Sequence, residues 1–318
     1  TTLFGHSQSL AGVAWSPDGA LLASRSETSI RVWELASQQT VAVLQGSSRF
    51  VHQLALSADE RLLAPSHMDE LVRIWDLASG DVLHTLAGHS NAVLGVSFSR
   101  DGETLATAGY DGTVRIWETM RGTLLRTMRT AQTPIVSFAR SADGVLLATG
   151  CHDGTVWLWD WQCGQARAVL RGHGLPVTAV AFSPDGASLL TSSEERSLCR
   201  WDLQLEQVSA ELPVEGGCVY ALAFDPAGGT LYGGCNDAKL RSWDVATGQL
   251  TRRLPAPGAI TRLDRSPDGA RLVSRGEGIV CVWNAVTGER LLTHRLERSF
   301  GPVRFIDDGR AFITSGED

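Results

Sequence analysis

His89, Thr107 and Asp111 are the side-chain types of a nucleophilic relay. A hydroxyl can attack, an imidazole can take its proton, and a carboxylate can orient the ring. His173, Thr191 and Glu195 form a second such set, and Cys151-His152-Asp153 puts three metal-ligand types in one run. Adjacent residues on a tight turn diverge, and no second ligand group accompanies that run, so no metal or cofactor is expected there. The chain has no GxGxxG, phosphate loop, HExxH, calcium loop or N-glycosylation sequon. Whether either His set does chemistry depends on the elements that carry it.

Those elements repeat. Trp33, Trp75, Trp117, Trp159, Trp201 and Trp243 stand 42 residues apart, and Trp283 follows after 40. A fixed period in this range marks a repeat architecture. In the clearest unit, four short apolar runs end at Phe98, Thr107, Trp117 and Met128, separated by turn residues and without helical period. That pattern predicts four antiparallel strands, A to D. The A–B turns repeat as Ser16-Pro17-Asp18-Gly19, Ser183-Pro184-Asp185-Gly186 and Ser266-Pro267-Asp268-Gly269. Proline presets the first turn dihedral, Asp bonds nearby backbone and Gly accepts positive φ. One such sheet cannot bury both its faces, whereas stacked sheets can.

The Gly88-His89 start, the Ser-Pro-Asp-Gly turn and the Trp75-Asp76, Trp159-Asp160, Trp201-Asp202 and Trp243-Asp244 ends resemble WD40 repeats. The resemblance covers essentially the whole chain. It implies an all-β propeller of four-stranded antiparallel blades, taken as one domain over residues 1–318. Seven complete repeats and a partial eighth are counted, because A- and B-type runs recur at Pro302–Phe305 and Ala311–Thr314. An eight-bladed ring is favoured over a seven-bladed one. The resemblance also implies that His89, Thr107, Asp111 and Trp117 form a buried structural hydrogen-bond chain rather than a catalytic site. The fifth unit keeps His173, Thr191 and Trp201 with Glu195 for the acid. The fourth keeps Thr149, Asp153 and Trp159 with Ala131 for the His. The first has His6 and Trp33 but Ala23 for the hydroxyl, the second has Pro65 and the sixth Gly233.

The net charge of -7 comes without a basic block, which argues against a nucleic-acid partner. No apolar run reaches the length of a membrane helix, so no membrane insertion is expected. Six scattered cysteines without CxxC spacing fit reduced thiols and a cytoplasmic location. Lys239 is the one lysine among 28 basic residues, a skew that points to a GC-rich bacterial genome. A start without Met leads to the expectation that the chain belongs to a longer protein.

Against this fixed frame, two loop positions vary from unit to unit. One directly precedes the B–C turn acid and holds Met68, Tyr110, His152, Glu194 and Asn236. The other lies early in strand A and holds His52, Val136, Thr178 and Tyr220. Loops held by rigid elements carry binding function. With Phe50, the residues His52, Met68, Tyr110, His152, Glu194, Tyr220 and Asn236 form the expected partner-binding face. Its placement near the central channel is what the resemblance implies. The sequence therefore points to a non-enzymatic interaction scaffold or sensor, regulatory within a larger bacterial signalling protein. Its partner would be a protein or peptide, possibly another domain of the same chain. The alternatives are a propeller hydrolase with carboxylates or His at the channel mouth, and a repeat domain without a fixed partner.

Overall fold

A computed structural model describes residues 5, 10–15, 21–26, 29–34, 37, 39–45, 51–67, 70–266, 268–295, 303–306 and 311–314. Among them the chain is all-β, with seven four-stranded antiparallel sheets in which strands pair in chain order A-B-C-D. These blades span 10–45, 51–86, 93–129, 135–170, 177–212, 219–255 and 262–295. In the third blade the strands are Val93–Phe98, Thr104–Gly109, Thr113–Glu118 and Leu124–Arg129. No helix of the described residues is long and apolar enough to cross a membrane.

The chain divides into two compact units. The first, built on Thr1–Ile135, carries three blades; the second, Val136–Thr314, carries four and the two-stranded pair Val303–Ile306 with Ala311–Thr314. Within the units the A strands of successive blades lie side by side, except that in the second unit the B strand of the fourth blade meets the A strand of the fifth. The cores sit between successive blades. Ala42 and Leu44 of the first blade pack with Leu54, Leu56, Leu63 and Trp75 of the second. Leu198 and Leu212 of the fifth pack with Leu231 and Trp243 of the sixth. A sheet with two apolar faces is thus covered on both, the condition that stacking was expected to meet.

Seven four-stranded blades stand, and the eight-bladed ring with a partial eighth blade favoured by the sequence is not supported. Counting A- and B-type runs overstated the blade number. Among the described residues the two extra runs pair only with each other, Val303–Ile306 with Ala311–Thr314, and add no four-stranded sheet.

The A–B turns fold as their residues dictate. Ser57, Ser99, Ser141, Ser183 and Ser266 each donate to the Asp two positions on, at 2.5–2.6 Å. Their own oxygens accept the first N–H of strand B, as from Ser188 to Ser183 at 2.9 Å. These bonds close the turn and fix where B starts.

Candidate functional site

The tryptophans set the internal geometry. Trp117 Nε1 donates to Thr107 Oγ1 at 2.9 Å, and Thr107 Oγ1 lies 2.7 Å from His89 Nε2. His89 Nδ1 lies 3.0 Å from Asp111 Oδ2. Thr107 thus bridges the indole and the imidazole, and the Nδ1 side of the ring faces the carboxylate. The acid is further held by the Ser90 N–H at 3.0 Å and the Thr113 hydroxyl at 2.8 Å. Burial alone would raise the Asp111 carboxyl, but the His89 bond and charge and the Ser90 N–H outweigh it and hold it well below the usual carboxylate range. Gly109 is required here, since a Cβ on it would stand 2.5 Å from His89 Nδ1 and 2.6 Å from Asp111 Oδ1.

The fifth blade repeats the chain with a longer acid. Trp201 Nε1 donates to Thr191 at 2.8 Å, Thr191 meets His173 Nε2 at 2.7 Å, and His173 Nδ1 meets Glu195 at 2.8 Å. Burial again acts upward on the carboxyl, and bonds from Ser197, the Gly174 N–H and His173 lower it on balance. Cys199 Sγ also lies 4.0 Å from His173 Nδ1, an arrangement of thiol, imidazole and carboxylate. Burial pushes that thiol up to about 12, so it is not a thiolate nucleophile. Thr107 and Thr191 are fully buried, at 0% exposure, so no substrate carbonyl reaches either hydroxyl.

Other blades meet the same demand differently. In the fourth, Trp159 donates to Thr149 at 3.0 Å. Trp157 stacks on Trp159 with ring centroids 5.1 Å apart, and its Nε1 donates to Thr155, which in turn donates to Asp153 at 2.6 Å. In the sixth, where Gly233 removes the hydroxyl, Trp243 donates to the Pro213 carbonyl at 2.9 Å. A fully buried Arg241 clamps Asp237, at 2.8 Å to Oδ1, and the Glu215 carbonyl. The Arg241 bond is the main cause that lowers the Asp237 carboxyl. In the second, Pro65 offers no hydroxyl, and Trp75 Nε1 is buried without a partner among the described residues.

The first blade departs from the sequence expectation. Trp33 Nε1 donates to Ser24 Oγ at 2.6 Å, so Ser24 and not Ala23 holds the hydroxyl position. Ser24 pairs with Arg31 as Thr107 pairs with Arg115, because the B–C turn is one residue shorter. The seventh blade shares this register, with Ser274 accepting from Trp283 at 2.8 Å. His6 lies outside the described residues.

The residues expected on the binding face divide by unit. Phe50 and Met68 lie outside the described residues, and His52 is described only as part of strand Val51–Leu56. Tyr110 is exposed in the first unit, its N–H bonded to the Ala92 carbonyl at 2.7 Å. In the second unit His152, Glu194, Tyr220 and Asn236 are all exposed at loop ends of the fourth, fifth and sixth blades. Cys151, beside His152, is instead buried and its thiol is pushed up to about 12, so the Cys-His-Asp run splits between core and solvent. Thr178, though variable, is spent on the frame: it donates to the Val219 carbonyl at 2.8 Å.

The loops that carry these exposed residues lie side by side, and a Cys218–Glu194 hydrogen bond ties the fifth blade's loop to the sixth's. A Cβ on Gly154 would stand 3.1 Å from the Leu175 carbonyl, which places the His152 turn against the next blade's loop. Glu194 N–H donates to Pro176 O at 3.1 Å, and Ser193 Oγ to Leu175 O at 2.9 Å. Cys218 Sγ donates to Glu194 O at 3.4 Å, and Cys218 N–H to Asn236 Oδ1 at 2.9 Å. Burial first, then the neighbouring Cys218 and Glu194, push the Tyr220 phenol up. Sequence reasoning missed Leu175, which is 47% exposed. The signal was available: the third, fourth and sixth repeats hold Asn91, Thr133 and Gly217 at that position, and only the fifth is apolar there.

The family model described as WD domain, G-beta repeat, matches residues 1–34, 80–118, 122–160, 164–202, 208–244 and 248–284, more than half of the chain. The unmatched stretch 35–79 contains the A, B and C strands of the second blade, where Pro65 replaces the hydroxyl. Against curated proteins the chain has no significant match.

Proposed function

We propose, from the premise that this chain belongs to the WD-repeat family, that it is a non-enzymatic scaffold or sensor module that docks a protein or peptide. The observation that carries this reading is the ribbon His152–Leu175–Glu194–Tyr220–Asn236. Rigid strands hold it, a hydrogen bond from Cys218 to Glu194 ties its fifth- and sixth-blade loops together, and its exposed side chains differ from blade to blade. Repeats of this family typically mediate protein interactions, and the two catalytic-looking sets are consumed in holding strands together. A regulatory role in a bacterial signalling protein of the cytoplasm is the setting we propose; its support is compositional, from the arginine-rich sequence.

The test is selection of a random-peptide display library on the purified chain. A pool enriched on wild type and lost on Leu175→Ala with Tyr220→Ala is the expected result. Both side chains are exposed and lie outside the blade cores, so the variant should keep a urea midpoint close to wild type. A library that enriches on neither protein would overturn the docking reading.

A further inference from the structure

The ribbon has a charge as well as a shape. Glu194 is exposed between two apolar anchors, Leu175 at 47% and Tyr220 at 38% exposure. Its carboxylate has no ion pair among the described residues. The other carboxylates nearby are engaged: Glu195 with His173, Asp237 with Arg241 and Lys239, and Glu215 with Arg253. The exposed charges of the same turns are Asp153, on the acidic side, and Arg196, which projects from a left-handed turn position at φ 66°. Cys218, two residues before Tyr220, donates from Sγ to the Glu194 carbonyl at 3.4 Å, which sets the Tyr220 strand end beside the Glu194 turn. A carboxylate and a tyrosine exposed on neighbouring loops can together receive a cation, the carboxylate by ion pairing and the ring by its quadrupole. Exposed pairs contribute little by themselves. The selectivity would come from desolvation once a chain covers the two apolar anchors.

We propose that the docked partner is a peptide segment with a Lys or Arg side chain seated against Glu194 and Tyr220, flanked by an apolar residue that packs on Leu175. This rests on the docking reading and names its chemistry. The backbone around Glu194 is already committed to Pro176 and Cys218. The carboxylate is thus presented from a fixed turn, which limits the entropy lost on binding.

The experiment runs the same random-peptide selection in parallel on wild type and on Glu194→Arg, with Glu194→Gln as a milder variant. The expected result is enrichment of Lys and Arg next to an apolar residue on wild type. On Glu194→Arg the same position should turn to Asp and Glu. A Lys-bearing peptide from the wild-type pool, labelled and titrated, should bind Glu194→Gln at least about tenfold more weakly. Equal peptide preferences on wild type and Glu194→Arg would overturn this inference while leaving the docking reading intact. A library that enriches on no protein would remove both. Unchanged urea midpoints for the variants would show that the differences arise at the surface.

Discussion

The third and sixth blades solve one problem with different chemistry. Each must hold a buried indole N–H and pin the B–C turn to the strand that follows. The third uses a hydroxyl, an imidazole and a carboxylate in line. The sixth has glycine where the hydroxyl would stand, turns its indole to a backbone carbonyl, and pins the turn with a buried guanidinium on Asp237. The slot is therefore defined by what must be satisfied, an N–H and a turn acid, and not by the residues that satisfy it. This is also why a His-Thr-Asp set need not signal catalysis. In the third blade it pins the turn acid that an arginine pins in the sixth.

The comparison can be broken most sharply by forcing one solution onto the other blade. Gly233→Thr supplies the missing hydroxyl to the sixth blade. A Cβ there would already stand 2.7 Å from the Trp243 ring and 3.2 Å from Val219. The expected outcome is a loss of about 2–3 kcal/mol by urea unfolding, whereas a gain would mean that the indole can swing back. Removing the imidazole from the third blade should cost nearly as much. His89→Ala strands Thr107 and Asp111 and is expected to lose about 2 kcal/mol; an unchanged midpoint would contradict the assigned network.

Acid acts on both solutions, because Asp111 and Asp237 are each held below the ordinary carboxylate value. Asp111 has a folded pKa below its ordinary 3.8, so its ionised form favours the folded state. That contribution is present above about pH 4 and is lost as pH falls further. Asp111→Asn should flatten this part of the stability profile, measured as urea midpoint against pH. A slope as steep as wild type would place the acid sensitivity elsewhere. The smallest effect is expected in the second blade. Pro65→Thr gives Trp75 Nε1 an acceptor, and a gain of about 0.5–1 kcal/mol should appear, reduced by the freedom restored to the unfolded chain. A loss would show that the proline itself holds strand B.

Much of this frame was legible because the repeat advertises it. Tryptophan spacing located the C strands, and Ser-x-Asp turns located the A–B corners that the hydrogen bonds of Ser99 and Ser183 close. Counting back from each tryptophan failed in the first blade, where a turn shorter by one residue moved the hydroxyl from Ala23 to Ser24. Spacing alone does not reveal such a deletion, because the strand register on both sides stays regular. The Pro213 carbonyl that takes over in the sixth blade has no sequence signature at all, since every residue carries one. Arg241 was hidden for a related reason: at its position the third blade has Arg115, half-buried, and only burial separates the two. The exposed ribbon was half legible. Its variable members stood out against the repeat, but their union into one surface depends on cross-blade bonds such as Cys218 to Glu194.

The central claim is that the buried His networks are framework and that the ribbon of the fourth to sixth blades is where a partner docks. Amide hydrogen exchange with and without a selected Lys-bearing peptide tests it most directly. The account predicts new protection in 174–176, 193–197 and 216–220, with no change in the amides around His89 and Asp111. Protection confined to the His89–Asp111 segment, with the ribbon unaffected, would contradict it.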